Sequence, residues 1–261
     1  MGWIKRWGWL FGLGWALTGS ASAELVKETV EYRDGSAVLE GYLVTDSRWE
    51  GPRPVVLIVH DWNGLDDYER MRAEMIADAG YVALAVDVYG KGVRPSTVAD
   101  CAREAGKWYA DRTAWRKRLG AAMTYAKTRK EVQKDAIAAI GYCFGGAAVL
   151  EMARAGMDLK GVASFHGGLK TTMPAVKGAV KASVLVLHGE ADPMVPPAEV
   201  KAFEAEMKSA GASYRVVSYA GAVHSFTVPN SEKAGVPGVA YQKEADEQSW
   251  DELLKFLKGL F

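Results

Sequence analysis

The sequence predicts an α/β fold, with a mostly parallel central sheet and helices on both faces. Three observations carry that expectation. Several apolar runs, at residues 55–59, 81–88, 136–140 and 182–187, are continuous rather than alternating, as in strands buried on both faces. These runs alternate with segments of helical spacing, the pattern of strand–helix–strand units. Between one run and the next helix stands Gly141-Tyr142-Cys143-Phe144-Gly145-Gly146, whose glycines permit a sharp turn that pushes the central side chain outward.

In chain order, residues 26–33 and 37–45 flank Asp34-Gly35, a strong hairpin signal, and are expected to open the fold as an N-terminal antiparallel hairpin. The buried run 55–59 ends at His60-Asp61-Trp62-Asn63-Gly64. A helix over 66–79 follows, with Tyr68, Met71, Met75 and Ile76 at helical spacing and Gly80 as its stop. The strand at 81–88 exits through Tyr89-Gly90-Lys91. Residues 96–130 read as helix with a break in the middle, and their aromatics (Trp108, Tyr109, Trp115, Tyr125) read as core. After the elbow come a helix at 147–154, a strand at 161–167, the strand at 182–187, a helix at 197–210, a strand at 214–219 and a closing helix over 241–260. No linker, repeat or low-complexity tract divides the stretch from Glu24 to Phe261, so one domain is expected.

The first 23 residues read as a secretory signal peptide. Lys5 and Arg6 precede an apolar segment at 7–18, shorter than the roughly 18–20 residues that span a bilayer, and Ala21-Ser22-Ala23 supplies a small-x-small cleavage pattern. Cleavage is expected between Ala23 and Glu24, giving an exported protein, periplasmic or secreted. Without Lys5 and Arg6 the chain carries 30 basic and 32 acidic side chains. A near-neutral surface offers no footprint for nucleic acid or anionic lipid. The expected partner is a small molecule, met by a monomer with no stable membrane association after cleavage.

The chemistry centres on Cys143. The turn is a G-x-S-x-G nucleophile elbow with cysteine in place of serine, in its strand–turn–helix context. At a helix start the dipole favours thiolate. Asp192 lies just past the strand run at 182–187 and His224 just past that at 214–219, so nucleophile, acid and base follow in the order of an α/β-hydrolase, each at the C-terminal edge of the sheet. A thiol needs a base, and the base needs a carboxylate that fixes its tautomer. The expectation is therefore a Cys143–His224–Asp192 acyl-transfer triad. With only two cysteines no disulfide scaffold is possible, and Cys101 reads as a packing thiol. His188 reads as structural, and His60 and His166 sit at strand ends where either could line a pocket, with loop packing the favoured role for each. No close-spaced ligand pair supports a zinc site, and no metal or cofactor is expected. The competing reading is an exported thiol redox or peroxide-responsive protein with Cys101 as the resolving thiol, and the intact His224–Asp192 pair argues against it.

With these residues the chain resembles the dienelactone hydrolase family of α/β-hydrolases. The likeness spans nearly all of the chain after the leader. It rests on Gly141-Tyr142-Cys143-Phe144-Gly145-Gly146, His188-Gly189-Glu190-Ala191-Asp192-Pro193, His224-Ser225-Phe226 and Asp87-Val88-Tyr89. The resemblance implies hydrolysis of an ester or lactone without cofactor. It also implies an oxyanion hole from the N–H groups of Trp62 and Phe144, and a carboxylate at Asp61 that modulates the thiol, where founding members carry glutamate. Where dienelactone-cleaving members bind the substrate carboxylate with two arginines, this chain has Lys91 and Val228. Losing one charge-assisted bond of about 1.5–3 kcal/mol costs an anionic substrate at least about tenfold, so a less anionic ester or lactone is expected. Lys91, His166 and Val228 are the expected pocket residues, with Arg94 close enough in sequence to compensate.

Overall fold

A computed structural model describes residues 24–261; the expected signal peptide lies outside the described residues. The strands are β1 (Leu25–Asp34), β2 (Ala37–Asp46), β3 (Arg53–Val59), β4 (Val82–Val86), β5 (Val132–Tyr142), β6 (Gly161–Phe165), β7 (Ser183–Gly189) and β8 (Tyr214–Tyr219). They form one eight-stranded sheet in the order β1-β2-β4-β3-β5-β6-β7-β8. The β1–β2 hairpin pairs antiparallel from Leu25↔Asp46 to Asp34↔Ala37, β2 pairs antiparallel with β4, and every later pairing is parallel. This is the α/β-hydrolase fold that the sequence predicts.

Among the described residues six α-helices cover the sheet: α1 (Asp67–Asp78), α2 (Val98–Ala110), α3 (Arg112–Ala126), α4 (Phe144–Arg154), α5 (Pro197–Ala210) and α6 (Lys243–Leu260). Alternation along β3 shows how the faces divide. Val55, Leu57 and Val59 enter one core with Trp115, Leu119, Phe144 and Phe203, under α3, α4 and α5. Val56 and Ile58 enter the other with Ile76, Leu253 and Leu257, under α1 and α6. Residue for residue, both faces of β3 are dry, which is why the sequence reads there as an unbroken apolar run. Among the described residues no helix is long and apolar enough to cross a membrane.

The expected break in 96–130 is present at Asp111, which ends α2 and caps α3 by accepting the Ala114 N–H at 2.9 Å. One detail differs: strand β5 begins at Val132, four residues earlier than its apolar run, because Val132 pairs with Arg53 before a register irregularity between Arg53 and Val55.

The strand order also locates the site. From β3 the chain passes to β4 on one side, then returns to β5 on the other. The loops after β3 and β5 therefore diverge, opening a crevice at the C-terminal edge where open α/β sheets bind ligands.

Candidate active site

The elbow is built by glycine. A Cβ on Gly141 would stand 2.1 Å from the Gly145 carbonyl oxygen, and one on Gly145 would stand 2.1 Å from the Val59 carbonyl oxygen. Only bare backbone lets β5, α4 and the end of β3 come this close. Cys143, the residue before α4, is forced to φ 51°, a left-handed conformation that costs a non-glycine residue about 1–3 kcal/mol. Trp115, fully buried, stacks on Phe144 with ring centroids 4.6 Å apart and holds the first turn of α4 from behind.

Three side chains meet at the crevice. His224 Nε2 lies 3.0 Å from Cys143 Sγ, and His224 Nδ1 lies 2.8 Å from Asp192 Oδ2. The other Asp192 oxygen accepts the Met194 N–H at 2.8 Å, which fixes the carboxylate. His224 sits in a loop pinned on both sides: its N–H donates to Gly238 O and its carbonyl accepts from Ala240 N. Burial works against a charged imidazole, but the negative charge available at Cys143 and the bond to Asp192 outweigh it, pushing His224 up to about 10. Facing Cys143, His224 is therefore a strong proton acceptor.

The loop after β3 is clamped by His60. Its Nδ1–H donates to Asp61 O at 2.6 Å and its Nε2 accepts from Val88 N at 3.1 Å, so the ring is a neutral strut between two loops; burial holds its pKa down at about 4. Tyr89 Oη donates to Trp62 O at 3.0 Å. The N–H groups of Trp62 and Phe144 have no intramolecular partner among the described residues.

Asp61 lines the same cavity and accepts the Asn63 N–H at 2.9 Å, but makes no hydrogen bond to Cys143. Burial, with Asp66 nearby, raises its carboxyl to about 7. Beneath it lies buried Glu69, which the sequence reading overlooked. Its oxygens accept from Asp61 N and Asp66 N, the second bond completing a capping box on α1. The signal was present as Asp66-x-x-Glu69.

The cavity, of about 550 Å³, is lined chiefly by apolar side chains, among them Trp62, Leu65, Val98, Met194, Val228 and Val239. Val228 is where the sequence places it. Lys91 is not: its ammonium pairs with Glu31 and lies 3.8 Å from Glu40, on the outer face of the hairpin, because two strand carboxylates attract it away from the crevice. His166 also does not line the cavity. It lies buried behind Cys143, with Nδ1 accepting the Cys143 N–H at 3.2 Å. Arg94 does line it, yet its Nε donates to Leu65 O at 2.6 Å and its Nη1 to Val93 O at 2.8 Å, so much of the guanidinium is spent on the rim. Cys101 is buried, free and also on the cavity wall, with burial first among the causes that raise its pKa.

The sequence profile of the dienelactone hydrolase family matches residues 39–261. The chain belongs to that family. Its activity class follows: a hydrolase of lactones or esters acting on a small molecule. Among solved structures, the dienelactone hydrolase-like promiscuous phosphotriesterase P91 from metagenomic libraries is 37% identical, covers 91% of this chain and 99% of its own, and superposes with a TM-score of 0.87. An uncharacterized Caenorhabditis elegans protein is 36% identical over 55% of this chain and 92% of its own length. A Synechocystis protein described as a putative carboxymethylenebutenolidase is 24% identical over 78% of this chain and 85% of its own.

Proposed function

We propose that this protein hydrolyses a small, uncharged carboxylic ester or lactone through a thioester on Cys143. The observation that carries the reading is the chain of contacts Cys143 Sγ–His224 Nε2–Asp192 Oδ2, at 3.0 and 2.8 Å, opening on a largely apolar cavity. In the first step the Cys143 proton passes to His224 Nε2, and the sulfur attacks the substrate carbonyl carbon. The unpartnered N–H groups of Trp62 and Phe144 receive the oxyanion, a contribution of about 3–4 kcal/mol for one well-placed donor. As the C–O bond breaks, His224 returns its proton to the departing oxygen. Water then gives a proton to His224 and attacks the thioester, releasing the acid and restoring the thiol. Asp192 keeps Nδ1 protonated and the ring in line throughout.

Charge supports an uncharged substrate. Among the described lining residues, the carboxylates of Asp61 and Asp66 stand against the single cation Arg94, whose Nε and Nη1 already serve the backbone. An anionic lactone would meet two carboxylates there and one guanidinium already partly committed. The deciding experiment is turnover of aryl esters from acetate to octanoate by wild type and Cys143→Ala. Turnover lost in the variant is expected, with a chain-length optimum that sizes the cavity; equal rates in both proteins would end the acyl-enzyme reading.

A second reading is favoured by the likeness to P91. An uncharged aryl phosphotriester suits the same apolar cavity, with the phosphoryl oxygen in place of the carbonyl oxygen. Release of aryl alcohol from such a triester by wild type, and not by Cys143→Ala, would support it; no release would exclude it. Export is inferred from the leader pattern, and recovery of a mature chain starting at Glu24 outside the cytoplasm is the expected result.

A further inference from the structure

The chemistry above leaves the buried imidazole of His166 unused. His166 follows β6 with a left-handed φ of 40°, next to the elbow. The Cys143 N–H is shared between Phe165 O at 3.0 Å and His166 Nδ1 at 3.2 Å. Because Nδ1 accepts, the ring proton sits on Nε2, which donates to Thr227 Oγ1 at 2.9 Å. Thr227 lies three residues past His224 in the same loop. Its hydroxyl is also 2.6 Å from Tyr68 Oη, and its carbonyl accepts from Arg72 Nη2 at 3.0 Å. One ring therefore runs from the backbone of the candidate nucleophile to the loop that carries its base.

We propose that His166 is the positioning residue that sets the approach of Cys143 to His224, by tying the elbow N–H to Thr227. The proposal rests on the reading of these two residues as nucleophile and base. An imidazole suits the task because acceptor and donor sit at a fixed separation on opposite sides of a rigid plane. The strut holds only while the ring is neutral, since a proton on Nδ1 would set two N–H donors against each other. The groups facing the ring keep it so. The His224 ring lies 5.4 Å away, those of Phe226 and Tyr142 at 5.2 and 6.1 Å, and the charge of Arg72, a cation paired with Asp246, also acts on it. Burial, then the charges of His224 and Arg72, all act to lower the pKa of His166. When His224 takes the Cys143 proton, the new cation reinforces the neutral state of its neighbour, so the strut persists into the thiolate state.

The test compares wild type with His166→Phe, His166→Asn, His166→Gln and Cys143→Ala in the full chain. Three quantities are measured: the acylation rate by an aryl ester in single turnover, the pH profile of Cys143 alkylation by iodoacetamide, and the melting temperature. In His166→Phe acylation is expected to fall at least about tenfold with KM little changed, as misplaced reacting groups do. Asparagine places Oδ1 where Nδ1 stood, keeping the elbow bond without the reach to Thr227, and should restore part of the rate and move the alkylation profile toward wild type. Glutamine reaches Thr227 but not the Cys143 N–H, and should behave like phenylalanine. If His166→Phe does not fold, the asparagine and glutamine pair decides alone. Asparagine and glutamine acylating equally well would overturn the proposal. So would losses that track melting temperature with an unchanged alkylation profile. Activity surviving in Cys143→Ala would instead sink the underlying catalytic reading, which separates the two failures.

Discussion

Replacing Gly145 by alanine puts the geometry of the elbow to a direct test. The new Cβ would lie 2.1 Å from Val59 O and 2.6 Å from His60 O, where ordinary contact begins at 3.4 Å. Both obstacles are backbone, at the buried end of β3, so neither can swing aside. The start of α4 must retreat from β3 by about 1 Å to reach ordinary van der Waals separation. That retreat pulls the Phe144 N–H away from the Trp62 loop and Cys143 away from His224. A displacement of this size is expected to lower kcat about 100-fold. Overpacking should also cost about 1–3 kcal/mol of stability. Gly106→Ala is the matched control. It sits exposed within α2 with nothing within 4 Å of an added Cβ, and should leave turnover unchanged. Relieving a helical glycine should add about 0.5–1 kcal/mol. The assay is aryl-ester turnover at saturation alongside urea unfolding. Near wild-type turnover in folded Gly145→Ala would refute the claim that close approach at the elbow creates the oxyanion site.

Other perturbations separate the remaining forces. Asp192→Asn should leave the fold intact but lower kcat by about 10³–10⁴, because the amide no longer enforces the His224 tautomer; kcat within tenfold of wild type would contradict that role. Removing the cavity carboxylate in Asp61→Asn should let the thiolate form more easily, moving the midpoint of iodoacetamide alkylation about one pH unit lower. Sign and window follow from Asp61 itself. Its carboxyl is raised to about 7, so it is charged above that pH and the two proteins should converge below it. Glu151, buried between Arg112, Arg116 and Arg154, should be costly to remove. Glu151→Ala leaves three guanidiniums without their shared anion and should cost about 3–5 kcal/mol in urea unfolding.

What the sequence disclosed depended on whether the deciding interaction is local. Strands β3 and β7 are legible because both faces are dry, and α5 because Pro197 starts it and Gly211, at φ 71°, ends it. The elbow is legible because glycines at 141 and 145 have one steric explanation. Lys91 misled because its partner lies 60 residues away on β1, and nothing near it in sequence reports that attraction. His166 was placed at the right strand end but on the wrong side of Cys143, since a positive φ at a non-glycine residue leaves no mark in composition. The short 3₁₀ turn Ser231–Ala234, which brings Ala234 to the cavity, likewise gave no periodic signal.

The cavity has one wall locked and one open to revision. On the side of Trp62 and Arg94, the His60 strut, the Arg94 clamp on Leu65 and Val93, and the Asp66–Glu69 box bind neighbouring loops to one another. Most substitutions there disturb several of these ties at once. On the far side, Val228, Ala234, Val236 and Val239 face the cavity from a segment without strand or α-helix, and carry no polar side-chain duties. Selection can therefore exchange side chains on that segment to admit a new substrate while the reacting atoms stay in register. Divergence among descendants of such an enzyme should collect in residues 228–239.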